Sequence, residues 1–168
     1  MSVVIAAIAP AGHMEVSADR RVMVDGAAHI VGATKIARLD DDVVAGLVGD
    51  VDATCILWDE LDVRIMRSTD ALARWARRIS YDRGLDESTW ELLVAHRCGD
   101  IITVDHAGAA VRHSGYAVIG ESAAALPAVC AAVAACHESP SRIAVDAVCA
   151  HVATCGGPID TIRLGPPE

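Results

Sequence analysis

The chain has 168 residues, of which 53% are hydrophobic and 22% are charged, a composition typical of a folded domain rather than a disordered chain. Its formal net charge of −9 argues against a nucleic-acid-binding protein, because phosphate binding needs an excess of clustered cations. No apolar run approaches the ~18 residues of a membrane span, and the apolar stretch Val3–Ala11 lacks the basic segment that opens a secretory signal. We therefore expect a cytoplasmic protein with a single domain over residues 1–164 and a short tail over 165–168.

The first part of the chain is predicted to form four strands. Apolar or alternating segments predict them at Val3–Ala9, His13–Ala18, Thr34–Leu39 and Val43–Val48. Turn residues separate them at Pro10-Ala11-Gly12, around Asp25-Gly26 and at Asp40-Asp41-Asp42.

Two helices are predicted next, because the apolar residues change to helical spacing. Asp50 or Asp52 can cap the first helix. Its expected apolar face comprises Cys55, Ile56, Trp58, Leu61 and Ile65. The second helix is predicted from about Thr69 to Tyr81 and ends before Gly84. Its expected apolar side comprises Leu72, Trp75, Ala76 and Ile79.

The second half of the chain repeats this order of strands and helices. Strands are predicted at Trp90–His96, Asp100–Asp105, Ala109–His113 and Tyr116–Ile119. Helices are predicted at Glu121–His137 and Arg142–Thr154, the latter preceded by Ser139 as a helix cap and Pro140 at the first helical position. A last strand is predicted at Ile159–Leu164, after the Gly156-Gly157-Pro158 break.

This order differs from that of a doubly wound parallel sheet, in which strands and helices alternate singly. Groups of strands interrupted by pairs of helices fit two antiparallel sheets packed face to face, with helices covering each outer face.

The six cysteines are not spaced as ligands of a structural zinc ion. The nearest set is Cys130, Cys136, His137, Cys149, His151 and Cys155, which contains no CxxC pair. Most of the cysteines lie among alanine and valine, where a free thiol packs as a small hydrophobic group. Without a secretion signal, disulfides are not expected. We predict no metal site, no cofactor and free cysteines that mostly pack against apolar neighbours.

Lys35 is the only lysine in the chain, and the other basic residues are 13 arginines. The pKa of a lysine ammonium can be lowered by its surroundings, whereas arginine stays charged. A single lysine in an arginine-rich chain therefore suggests a position where arginine does not serve.

Several short segments around Lys35 occur in the order and spacing of a known family. They are Ser17-Ala18-Asp19-Arg20, Gly32-Ala33-Thr34-Lys35-Ile36, Ala45-Gly46-Leu47-Val48-Gly49-Asp50, Ile119-Gly120 and Cys155-Gly156-Gly157-Pro158-Ile159-Asp160. Over nearly its whole length the chain resembles a proteasome β-type subunit, and especially the bacterial HslV-type peptidase, of the N-terminal-nucleophile hydrolase superfamily. The resemblance implies an α+β fold, a four-layer αββα sandwich of two packed antiparallel sheets flanked by helices.

The resemblance also implies a set of site residues. In the family the first residue of the mature chain, usually threonine, attacks a peptide carbonyl, and its own α-amine is the base. The corresponding positions here are Ser2 as the nucleophile once Met1 is removed, Lys35 as the group that lowers the nucleophile's pKa, Asp19 as the partner of Lys35, and Gly49 as an oxyanion-hole donor. Family members form stacked rings and often receive unfolded polypeptide from an ATP-driven unfoldase. The resemblance therefore implies a homo-oligomeric ring and no cofactor.

The spacing leaves two residues for the nucleophile position. Without a gap, the distances in sequence from Asp19 and Lys35 place Val3 there. Ser2 takes that place if the Ala9–His13 turn holds one extra residue.

Three other positions differ from the family pattern. Serines that are common near the site correspond to Glu121 and Cys155, and an aspartate of many relatives corresponds to Val152.

Three functions are therefore considered. They are an N-terminal-serine peptidase within a ring, an inactive structural or assembly component of a ring in a cell or phage particle, and a hydrolase of small amides.

Overall fold

Eleven strands and four α-helices make up the part of the chain that the computed structural model describes, which is residues 2–24, 27–30, 34–85 and 87–165, without the side chains of 23, 24 and 27–30. The strands are β1 (Val3–Ile8), β2 (Met14–Asp19), β3 (Arg21–Val24), β4 (Ala27–Ile30), β5 (Ile36–Arg38), β6 (Val43–Gly49), β7 (Trp90–His96), β8 (Asp100–Asp105), β9 (Ala110–Ser114), β10 (Tyr116–Gly120) and β11 (Ile159–Leu164). The helices are α1 (Val51–Glu60), α2 (Thr69–Asp82), α3 (Ser122–Ala134) and α4 (Pro140–His151), with a short 3-10 turn at Val63–Ile65.

The strands form two large antiparallel sheets and one small hairpin. The first sheet has the order β10-β1-β2-β11, the second has the order β5-β6-β7-β8-β9, and β3 pairs only with β4. The inner faces of the two large sheets share one apolar core, in which Val4 and Val16 of the first sheet belong to the same cluster as Val44 and Leu93 of the second. This core holds the two sheets face to face.

Helices cover both outer faces of the pair of sheets. Leu57 of α1 and Trp75 of α2 pack with the outer side of the second sheet, together with Leu92. On the opposite side, Val129 of α3 and Val145 of α4 pack with the outer side of the first sheet. The result is the four-layer αββα sandwich of an α+β fold, as predicted.

The central strands are apolar on both sides because each lies between two layers. In β1, Val3 and Ile5 face α3 and α4, whereas Val4 faces the second sheet. In β7, Leu92 faces α1 and α2, whereas Leu93 faces the first sheet. Successive side chains of a strand point to opposite faces, so a strand that is covered on both sides has a continuous apolar sequence.

Several sequence predictions are confirmed closely. The bounds of β7, β8 and β11 are those predicted. The expected apolar side of α2 is buried, and the helix ends at Asp82, just before Gly84 at φ 65°.

The predicted first helix is too long. The chain turns to extended backbone at Leu61, and the Asp62 side chain accepts a hydrogen bond from the Arg64 N–H, which favours a separate turn. The residues that α1 buries are Ala53 and Leu57, while Cys55, expected on the apolar face, is exposed.

The hairpin of β3 and β4 was not predicted. Part of its signal is present in the sequence, because the short apolar run Val22-Met23-Val24 leads to Asp25-Gly26, a favoured hairpin turn. The turn itself, predicted at Asp25-Gly26, lies outside the described residues. So do Met1, Gly32-Ala33 and most of the predicted tail.

The two C-terminal helices are shorter than predicted. Helix α3 ends at Ala134 rather than His137, and Cys136 adopts a positive φ of 53° just beyond it. Helix α4 ends at His151 because Val152 is extended. Ser139 lies at the predicted cap position, but its hydroxyl does not cap the helix and donates instead to Glu15.

All six cysteines are free, but most do not pack as predicted. Only Cys155 is buried, Cys149 is partly buried, and Cys55, Cys98, Cys130 and Cys136 are exposed. Cys130 and Cys136 lie in alanine-rich stretches and are nevertheless exposed, so an alanine-rich context does not itself indicate burial.

Strand β2 carries a buried polar stripe beneath α4. Its residues Glu15, Ser17 and Asp19 alternate with apolar ones and are each 0% exposed. The Ser17 hydroxyl bonds to Ser141 of α4 at 2.8 Å and to Thr161 of β11 at 2.9 Å. Buried polar groups of this kind specify how two layers pack when all are satisfied, so the stripe fixes α4 and β11 over β2.

Glu15 is the charged end of this stripe. Its carboxylate accepts hydrogen bonds from the hydroxyls of Ser141 and Ser139, both at 2.7 Å, and from Arg163 Nε at 2.9 Å. Burial alone would raise the pKa of Glu15, but these bonds and a weaker one from the Arg142 N–H hold it below its ordinary value.

We expect Glu15→Gln to lower the free energy of unfolding by about 1–3 kcal/mol, because it removes charge-assisted hydrogen bonds from a buried site. A carboxylate with a depressed pKa stabilises the fold above its unfolded pKa of about 4.3 and loses that effect as the pH falls through the folded value. Urea unfolding of both proteins between pH 7 and pH 3 tests this. The variant should show a shallower loss of stability below pH 5, whereas Asp100→Asn, in an exposed ion pair, should retain the wild-type slope. Parallel slopes for Glu15→Gln and wild type would contradict the assignment.

Candidate functional site

Lys35 and Asp19 form a buried ion pair between the two sheets' ends. Lys35 Nζ donates to Asp19 Oδ1 at 2.8 Å and to the Arg21 carbonyl oxygen at 2.6 Å. Asp19 is 0% exposed and Lys35 is 7% exposed. Burial lowers the pKa of Lys35, and attraction to Asp19 only partly offsets this effect.

Asp19 is held by main-chain groups as well as by Lys35. Its Oδ1 also accepts from the Val3 N–H at 3.0 Å, and its Oδ2 accepts from the N–H groups of Arg21 and Gly156, both at 3.1 Å. Four donors on one carboxylate satisfy a buried negative charge. The side chain therefore connects β1, β3, the segment before β5 and the segment before β11.

Ser2 lies at the end of β1 beside the turn into α3. Its carbonyl oxygen accepts from the Glu121 N–H at 3.0 Å. Gly120, which pairs with Val3, has φ 85°, and a Cβ atom there would collide with the Ser2 carbonyl oxygen. The glycine thus permits the close approach that holds Ser2 in place by its main chain.

A pocket of about 730 Å³ lies against these residues. Ser2, Lys35 and Gly49 all line it, and Asp19 lies behind Lys35 outside the lining. The structure therefore brings together at one pocket three of the four residues expected to form the site, and it places the fourth in contact with one of them. Val3, the alternative for the nucleophile position, is 0% exposed and is not part of the lining.

Gly49 ends β6 opposite Trp90 with φ 134°. A Cβ atom at this position would collide with the Thr89 carbonyl oxygen, and only glycine adopts this backbone conformation readily. The next residue, Asp50, is tied to the same segment, because its N–H donates to the Thr89 carbonyl and its carboxylate accepts from the Thr89 N–H. These bonds fix the main chain that borders the pocket.

The two positions where relatives carry serine have different chemistry here. Burial raises the pKa of Cys155 to about 12 and that of nearby Cys149 to about 11. The surroundings of these two thiols therefore favour the neutral form and do not activate them as nucleophiles. Glu121 accepts from the Thr154 hydroxyl at 3.3 Å. Val152, where relatives carry aspartate, is partly buried in the apolar cluster beside α3 and α4.

Three acidic residues of the pocket, Asp50, Glu91 and Asp105, were not predicted as site residues. Glu91 and Asp105 both line it, and Glu91 Oε2 accepts from the Gly120 N–H at 2.6 Å. A signal existed for Glu91, since it is a single charged residue near the start of the otherwise apolar strand β7. Across the described ranges, no three His, Cys, Asp or Glu side chains are grouped so as to hold a metal ion. None of the helices described is long and apolar enough to cross a bilayer.

Solved structures share this fold over almost the whole chain. HslV from Trypanosoma brucei aligns with a TM-score of 0.79 at 20% identity, covering 96% of this chain and 98% of that one. BPH from Thiobacillus denitrificans aligns with a TM-score of 0.79 at 21% identity, covering 98% and 100% of the two chains. The chain has the proteasome β/HslV-like fold.

A less similar solved structure also aligns with the chain, whereas comparisons of the sequence find no match. Anbu from Yersinia bercovieri aligns with this chain at a TM-score of 0.68 and 14% identity, covering 96% of this chain and 80% of that one. No protein-family model matches the sequence, and no curated protein sequence matches it. The likeness is therefore carried by the three-dimensional arrangement, and it confirms the fold predicted from the order of segments around Lys35.

We expect Asp19→Ala to destabilise the protein by about 5 kcal/mol and Lys35→Met by about 3 kcal/mol, because removing one member of a buried pair leaves uncompensated polar groups. The aspartate variant costs more, since it also leaves three backbone N–H groups without their acceptor. Urea unfolding at pH 7 measures both values. Arg64→Met, which breaks an exposed pair with Asp62, is the control and should cost less than about 1 kcal/mol. The reverse order of the two losses would contradict the assignment of Asp19 as the central group.

Proposed function

We propose that this protein is an N-terminal-serine peptidase with Ser2 as its nucleophile. The observation that supports this most is that Ser2, Lys35 and Gly49 line one pocket while Asp19 holds Lys35 from behind. These are the group types that acyl transfer needs, namely a nucleophile, a cation beside it and a main-chain donor.

In the proposed mechanism, loss of Met1 exposes the α-amine of Ser2. The amine accepts the hydroxyl proton while Ser2 Oγ forms a bond to the substrate's carbonyl carbon. The N–H of Gly49 stabilises the oxyanion. The peptide C–N bond then breaks, the proton passes to the leaving amine, and a serine ester remains. Water attacks this ester by the same route, releasing the acid and regenerating Ser2.

Lys35 serves this mechanism as a fixed positive charge. A lysine ammonium has three N–H donors, of which two are given to Asp19 and Arg21. The third has no acceptor among the described residues. Because Lys35 also lines the pocket, this N–H and its charge are available to lower the pKa of the Ser2 hydroxyl.

We propose that the peptidase works as a homo-oligomer, as a ring that receives unfolded polypeptide from an unfoldase. Helix α3, Ser122–Ala134, carries no charged residue. Its outward residues include Leu126 and the exposed Cys130. A helix that is apolar on all sides is normally buried, so this outer face is suited to contact with a second copy.

A second candidate function is that of a ring component without catalytic activity. It is supported by Glu121 and Cys155, which replace serines that relatives often carry near the nucleophile. An inactive ring component would retain the assembly surface and would not require the removal of Met1.

The peptidase proposal predicts that the intact mass of the purified protein lacks Met1 and that Ser2→Ala and Lys35→Ala each lose more than about 1000-fold in cleavage of an unstructured polypeptide. Lys35→Arg should lose activity similarly, because a guanidinium is larger than an ammonium and cannot occupy the same buried site. Ser114→Ala, an exposed serine of β9, is the matched control and should retain full activity. Retention of Met1 without cleavage of any polypeptide would sink this proposal and leave the inactive ring component.

The assembly proposal predicts that Leu126→Glu dissociates the oligomer, since it places a charge on the apolar face of α3. Sedimentation velocity of the wild type should show a species several times larger than one chain, and the variant should sediment as a monomer. Tyr81→Glu, on the 79% exposed tyrosine of α2, is the control and should leave the assembly intact. A monomeric wild type would refute the oligomer.

A further inference from the structure

Glu91 and Asp105 are directly opposite each other on neighbouring strands. The register of β7 and β8 pairs the two residues, and both line the pocket. Opposite residues of an antiparallel pair have Cβ atoms roughly 4.5–5.5 Å apart, and like charges in this arrangement destabilise the sheet. A group of opposite charge bound between them would relieve that repulsion.

No cation of the described chain compensates this pair. Neither carboxylate takes part in an ion pair with a described lysine or arginine. Lys35 is the one Lys or Arg in the described pocket lining, and it is bound to Asp19. Asp50 adds a third carboxylate to the lining, and His106 is its only histidine among the described residues. Among the described residues, three carboxylates and one lysine ammonium line the pocket, so the lining is acidic even when the full positive charge of Lys35 is counted.

The polar contacts of the two carboxylates leave part of each free. Glu91 Oε2 accepts from the Gly120 N–H, and Asp105 Oδ1 accepts from the Ala109 N–H at 2.9 Å. The second oxygen of each carboxylate has no protein donor among the described residues. Trp90, which precedes Glu91 on β7 and also lines the pocket, is 1% exposed and packs in the cluster beneath α1 and α2, and its buried indole Nε1 has no partner in the described structure. Each of the two carboxylates thus has an oxygen that is free to accept a hydrogen bond from a ligand in the pocket.

The acidic pair lies close to the candidate nucleophile. Glu91 is bonded to the N–H of Gly120, and the adjacent N–H of Glu121 holds the Ser2 carbonyl. The remaining lining includes apolar side chains, of which Val48 lies on the same face of the second sheet as Glu91, and Leu47 and Trp58 lie on the face toward α1. Apolar walls with carboxylates beside them match a side chain that has an aliphatic stem and a cationic end.

We propose that Glu91 and Asp105 form an acidic subsite that binds the arginine or lysine side chain of a peptide beside Ser2. This inference rests on the proposed function, because it names the substrate class of that pocket. Glu91 and Asp105 would be specificity-determining residues, and neither takes part in the acyl-transfer steps.

The test is a binding measurement that does not require catalysis. An acetylated tripeptide amide ending in arginine is compared with one ending in citrulline, which has nearly the same shape but no charge. Both are titrated into the Ser2→Ala variant, and the fluorescence of Trp58 and Trp90 in the pocket reports binding. We expect the arginine peptide to bind about tenfold more tightly, which corresponds to about 1.4 kcal/mol. This preference should decrease between low and high salt. Equal affinity for the two peptides at low salt would overturn the proposal.

Variants locate the effect at the acidic pair. Glu91→Gln with Asp105→Asn should reduce the arginine preference to less than about threefold, while Asp146→Asn with Asp82→Asn, two exposed acids of α4 and α2, should retain it with the same change in net charge. An unchanged preference in the double variant would refute the assignment. If the double variant does not fold, Asp105→Asn alone should lower the preference at least about twofold, and no decrease would refute it.

Cleavage by the unmodified protein separates this proposal from the peptidase proposal. Arginine preference without cleavage of any peptide would support the acidic subsite and refute the peptidase. Cleavage with equal use of arginine and citrulline peptides would support the peptidase and refute the subsite.

Discussion

The buried carboxylate of Asp19 is the group on which the arrangement of the pocket depends. Its four donors come from β1, from β3, from the residue before β5 and from the turn before β11. A buried charge is costly unless all its bonding capacity is used, so each of these segments is held near the others by the same requirement. The polar stripe of Glu15 and Ser17 continues the arrangement along β2 and fixes α4 above it.

Those parts of the fold that depend on regular apolar spacing could be predicted from the sequence. Strands β7 and β8 and the buried side of α2 are examples, because burial against a known type of layer sets the period of their residues. The β3–β4 hairpin and the end of α1 could not be predicted in the same way. They depend on turn chemistry, as at Asp62, and on which of several alternating segments finds a partner strand.

The residues of the site likewise include some that the sequence could indicate and some that it could not. That Asp19, Lys35 and Gly49 belong to one site was implied by the family resemblance of the short segments around them, and in the structure Lys35 contacts Asp19 and lines the same pocket as Gly49. Glu91 stands out as a charged residue in an apolar strand, but its pairing with Asp105 could not be predicted, because it depends on the register of β7 with β8. A shift of one residue in that register would place the two carboxylates on different faces. Ser2 illustrates a third case, because its position depends on a carbonyl contact and on the absence of a side chain at Gly120.

The balance of charges around Lys35 bears on whether the pocket is catalytic. An ordinary structural ion pair uses lysine to neutralise aspartate, but three backbone N–H groups already stabilise Asp19 here. Asp19 therefore does not fully neutralise the positive charge of Lys35, and burial lowers the pKa of Lys35. A protein that needed only a stable junction would gain from an apolar residue at this place, since buried ion pairs are often no better than well-packed apolar groups. Stability alone therefore does not require a lysine here, and the role proposed for Lys35, as a positive charge in the pocket that Ser2 also lines, gives a reason for its presence.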